Sequence, residues 1–131
     1  MPNHSAADHP PSGLHERGSV TVASAAIAAV VLLVTVAGLA LASAVAAAHR
    51  ARTAADLSSL AAAVAVQRGA DPGIACTSAA WVAQRNGAHL TGCSAGAAHS
   101  VTVVAEAPMG LALPGHRAVM AKARARAGPS P

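Results

Sequence analysis

The chain has 131 residues, 53% of them hydrophobic but only 1% aromatic, with one Trp and neither Phe nor Tyr. Large side chains supply most of the burial energy of ordinary cores, so this alphabet excludes a conventionally filled soluble core and leaves room for one small domain at most. The formal net charge of +4, from nine basic and five acidic residues, suits an anionic membrane surface, and the lack of base-stacking aromatics argues against nucleic acid as a partner.

Residues 1–17 open with "MPNHSAADHPPSGLHE", which holds three Pro, scattered His and no apolar period. Such a segment cannot bury enough apolar surface to offset its ordering entropy, and it is expected to be a disordered tail. From Gly18 to Ala48 there is no ionisable side chain. About 20 apolar residues in a helix cross a bilayer's hydrocarbon, and this run is longer. Twelve Val, Ile and Leu residues lie between Val20 and Val45, favouring insertion by about 4–7 kcal/mol as an upper bound. Residues 18–48 are therefore expected to form a transmembrane helix. The rival expectation is a signal peptide cut near Ala44 or Ala48, after "ASA" or "AAA". Signal peptides carry a shorter apolar region and a more basic start.

Residues 49–70 continue the helical pattern. Leu57, Leu60, Ala61 and Val64 fall at helical spacing, with Arg50, Arg52, Asp56 and Arg68 on or near the other face. This amphipathic continuation is the expected packing partner of a sheet. "GADPG" ends it. Residues 71–128 then read as a small α+β head. A short helix fits Ile74 to Arg85, closed by Asn86-Gly87, with Ile74, Trp81 and either Cys76 or Ala80 on a shared face. The period then changes to two, so "HLTGCSA" and "HSVTVVAEA" read as strands. After a loop marked by Pro108, Pro114 and Gly115, Lys122, Arg124 and Arg126 alternate with Ala, a third strand with a basic face. Residues 129–131 are a frayed end. The expected fold is α+β: a long N-terminal helix with a small head of one short helix and a three-stranded antiparallel sheet.

Chemistry-bearing groups are few. Cys76 and Cys93 lie 17 positions apart, one on the short helix and one on the first strand. A bridge between them is worth about 3 kcal/mol in the chain-entropy model, and it implies an oxidising compartment. The count of cations flanking the apolar run, Arg17 before it and Arg50 with Arg52 after it, points the other way, towards a cytoplasmic head. The seven His residues are spread from His4 to His116 without the spacing of a metal site. No catalytic set, metal or cofactor is expected, nor a small-molecule substrate. Gly38, Ala42 and Ala46, and likewise Ala25 and Ala29, repeat at four-residue intervals that let helices approach closely in lipid. Membrane lipid and other transmembrane helices are the expected partners.

"ERGSVTV" before the apolar run, "RTAADLSSLAAA" after it, the spaced cysteines and the closing "ARARAGP" resemble the TadE-like proteins of actinobacteria, encoded beside tight-adherence (Tad, Flp-type) pilus and secretion genes. The resemblance implies a minor pilin or pseudopilin with a cytoplasmic tail, one membrane-spanning helix and an exported head. It also implies cleavage by a prepilin peptidase after Gly18, with Ser19 as the new N-terminus. The family's usual Glu, five residues after the cut, is Ala23 here. The carboxylate that would pair with a neighbouring subunit's amine is therefore missing.

Overall fold

The computed structural model describes residues 16–110, 115 and 118–129. Most of the expected disordered tail, residues 1–15, lies outside the described residues, as do 111–114, 116–117 and 130–131. Five elements follow in chain order: α1 (Glu16–Gln67), α2 (Pro72–Arg85), β1 (His89–Ala95), β2 (Val101–Pro108) and β3 (Met120–Ala127). The fold is α+β, with a three-stranded antiparallel sheet in the order β1-β2-β3. The chain divides into two compact units, 1–38 and 39–131, with the boundary inside α1.

The unbroken 52-residue α1 follows from a sequence whose only helix-weakening residue between Val20 and Gln67 is Gly38. It begins at Glu16, so Glu16 and Arg17 are helical rather than part of a tail. It stops where the chain must turn left-handed: Gly69 adopts φ +86°, the Gly69 N–H donates to the Val66 carbonyl and the Ala70 N–H to the Ala65 carbonyl. That pair of bonds is a Schellman closure, and its left-handed position favours glycine. α2 ends the same way at Gly87, φ +70°, with Ala88 buried beyond it. α2 starts at Pro72, two residues before the expected Ile74, because Asp71 is extended and Pro suits the first helical turn.

In the second unit, one core joins α1's buried Ala47, Ala51, Ala54, Ala55 and Ala62 to Ala75 and Ala79 of α2 and to the inward rows of the sheet. The inward row of β2, Val101, Val103, Ala105 and Ala107, is fully buried, and Val101 and Val103 are the largest side chains so enclosed. The face α1 buries differs from the one expected. Leu57, Leu60 and Val64 are exposed at 43%, 56% and 43%, while the neighbouring Ala stripe is sealed. Ala brings backbones close, and the close approach leaves no room for leucine.

β1 holds a bulge between Leu90 and Gly92, which leaves Thr91 without a Cα partner in β2. β2 starts at Val101 rather than His99. Ala98 and His99 have φ +54° and +55°, and the Gly96 N–H donates to the Ser100 carbonyl, so these residues form the turn. β3 pairs with β2 without interruption from Met120 to Ala127, with Lys122, Arg124 and Arg126 exposed as the alternation requires.

Candidate functional site

The first candidate is the apolar stretch of α1. Within Val20–Gln67 an 18-residue window reaches a mean hydropathy of 2.7, and none of it is buried. Its large side chains stand outwards: Val30, Leu33 and Leu39 are 62–72% exposed. A soluble protein would bury such a stripe against a core; here it faces whatever surrounds the helix. Polar groups in the stretch are neutralised locally. The hydroxyls of Ser24, Thr35 and Ser43 donate to the carbonyls of Thr21, Val31 and Ala40, one turn back, at 3.0, 2.8 and 2.8 Å. Main-chain bonds close within the helix, so the segment has little polar surface that an apolar environment would have to desolvate. The helix is long and apolar enough to cross a membrane, and it is a candidate span of a single-pass membrane protein.

Gly18 and Ser19 lie in the first turn of α1. Of the small-residue stripe, Gly38 has open space where a Cβ would stand, Ala42 is exposed and Ala46 is half-buried.

The second candidate is the head's surface. A disulfide joins Cys76 of α2 to Cys93 of β1, with Cα atoms 5.9 Å apart. The outer face of the sheet stacks three cross-strand rows: Ser94–Thr102–Arg126, Gly92–Val104–Arg124 and His89–Glu106–Lys122. Lys122 Nζ lies 3.0 Å from Glu106 Oε1, and Arg126 donates from Nη2 to Ser100 Oγ at 2.9 Å. Ile74 and Trp81 do share a face of α2, and it is the exposed one: they are 59% and 62% accessible, and Ala75, Ala79 and Ala83 point inwards. The Arg85 guanidinium stands 5.3 Å from the Trp81 ring centre, covering part of it.

Both helices thus turn small residues in and large apolar ones out. Sequence reasoning weighted Leu and Val above Ala and so chose the wrong stripe. The available signal was the Ala/Ser repeat itself, at positions 47, 51, 54, 58 and 62 of α1 and 75, 79 and 83 of α2, which keeps helical spacing throughout. Among the described residues, no three His, Cys, Asp or Glu side chains gather in one place. No family model matches the chain, and no curated protein or solved structure matches it.

Proposed function

We propose that this protein is a non-enzymatic, single-pass membrane component of a Tad/Flp-type pilus or secretion assembly, a TadE-like minor pilin or pseudopilin with its head outside the cytoplasm. The observation that carries the reading is the fully exposed apolar stretch of α1, which is stable in lipid and costly in water. Twelve outward Val, Ile and Leu residues leave few environments other than a bilayer or other apolar helices. The disulfide supports the oxidising side of the membrane for the head. The burial of Ala47 supports an anchor that stays attached, because a cut after Ala48 would remove a fully enclosed core residue. The role is mechanical: the anchor packs laterally against other transmembrane helices, through lipid and small-residue faces such as Gly38, Ala42 and Ala46, while the stapled head offers its surface outside. The pilus assignment rests on the sequence resemblance, and cleavage at Gly18–Ser19 is part of that proposal.

The test is the intact mass of the membrane-fraction protein, with its extraction behaviour and thiol state. The expected result is a mass beginning at Met1 or Ser19, retention through an alkaline carbonate wash, and no alkylatable thiol before reduction. A mass beginning near Val45 or His49, with the protein in the medium, makes it a secreted factor instead. Two free thiols in protein taken from cells place the head in the cytoplasm.

A further inference from the structure

The two edges of the sheet are finished differently. β1 is interrupted by the bulge at Thr91 and tied to α2 through Cys93. β3 is regular over eight residues, every one in register with β2, and contains no Pro. Such an edge turns main-chain donors and acceptors away from its only neighbour and is a template for a further strand. Its faces differ in chemistry. Outwards stand Lys122, Arg124 and Arg126, at every second residue and about 6.8 Å apart. Inwards lie Ala123, Ala125 and Ala127, only half-buried because the row ends at an open edge. Glu106 occupies Lys122, but among the described residues no carboxylate lies within 4 Å of Arg124 or Arg126. Beside the C-terminal end of the strand, Asp56, Ser59 and Leu60 of α1 line a shallow hollow with Arg126, Ala127 and Gly128. Leu60, 56% exposed, offers apolar surface in that hollow.

We propose that β3 accepts an extended protein segment as a fourth strand, one in which acidic side chains alternate with small or apolar ones. The alternation has period two in both strands, so the partner's carboxylates fall opposite the arginine row while its apolar side chains extend the Ala row and reach Leu60. Opposite charges directly across a strand pair are favourable and like charges are not. A second copy's β3 is therefore refused, since it would set Arg against Arg. The basic stripe that blocks most strands becomes a filter that passes acidic ones. Asp56 lines the same hollow and disfavours a carboxylate on the partner residue that enters it. The inference stands on β3 and its surroundings and is independent of membrane topology.

The full-length protein in nonionic detergent is titrated into fluorescein-labelled Val-Glu-Val-Glu-Val-Glu-Val and followed by anisotropy. Two control peptides carry Lys in place of Glu, or the same Glu sequence with every main-chain nitrogen methylated, which keeps the charge and removes the pairing donors of both edges. The Glu peptide is expected to bind saturably and both controls to fail. Arg124→Ala and Arg126→Ala each weaken binding up to about fivefold, and the double reversal Arg124→Glu/Arg126→Glu transfers the preference to the Lys peptide. No saturable binding up to about millimolar peptide overturns the proposal. Equal binding of the methylated peptide overturns it in favour of a general polyanion patch, and a reversal variant that keeps its preference for Glu also overturns it. A cooperative unfolding transition like that of the unsubstituted protein certifies each variant's fold. Should the reversal variant lack it, Arg124→Gln/Arg126→Gln is read in its place, with loss of Glu-peptide binding expected and unchanged affinity overturning the proposal.

Discussion

Ser58 is wholly buried on the Ala stripe of α1, and its hydroxyl finds no hydrogen-bond partner. The adjacent Ser59 bonds back to the Asp56 carbonyl at 2.8 Å, so the local helix can satisfy a serine; Ser58 is there for its size. An unpaired buried hydroxyl costs about 1–3 kcal/mol, which Ser58→Ala removes without opening a cavity large enough to matter. We expect Ser58→Ala to raise the denaturation midpoint by the equivalent of about 1 kcal/mol, measured by chemical unfolding in detergent. A lowered midpoint would mean that the hydroxyl is held by a group not seen here, such as water. The exchange of large and small positions is tested by two substitutions that conventional weighting would rank the other way. Ala54→Leu drives three carbons into a sealed contact and is expected to cost about 1–3 kcal/mol. Leu60→Ala removes an exposed side chain and is expected to shift stability by no more than about 0.5 kcal/mol. The same unfolding curves decide both.

Elements were legible wherever the sequence pattern depends on backbone rather than on side-chain size. The apolar run, the Gly-closed helix ends and the Ala/Arg alternation of β3 each announce a main-chain requirement, and α1, α2 and β3 stand where those signals put them, within a few residues. The buried faces were not legible in the same way, because an Ala-rich helix has no large residues to mark its inner side, and the outer Leu57, Leu60 and Val64 mimic a core stripe. β1 hides a second device. Leu90 and Cys93 are an odd number of residues apart, yet they pair with Ala105 and Val103 of one inward row. Regular alternation would put them on opposite faces; the extra residue at Thr91 restores the parity that aims Cys93 at Cys76. Deleting Thr91 should therefore straighten the strand and keep the bridge, and Gly92 would follow Leu90 directly. Inserting one Ala after Gly92 should turn the thiol to the outer face and lose the bridge. Non-reducing peptide mass spectrometry on the two variants reads the outcome directly.

For the molecule as a whole, the two units obey different economies. Residues 16–38 form a helix whose apolar side chains stand exposed, whereas the second unit holds itself together by a disulfide and a core in which, among the described residues, Val101 and Val103 are the largest fully enclosed side chains. Among the described residues no three His, Cys, Asp or Glu side chains gather in one place, and the functional proposal concerns attachment and surface. The methyl-lined interior also governs how this protein can change. At a buried alanine every replacement but glycine is bulkier, and glycine loosens a helix by about 1 kcal/mol. Harm at these sites therefore comes from what is added and hardly ever from what is taken away. A chain of this make-up can diversify freely outside while the inner positions of its helices admit only residues of about alanine's size, as the buried Ser58 shows.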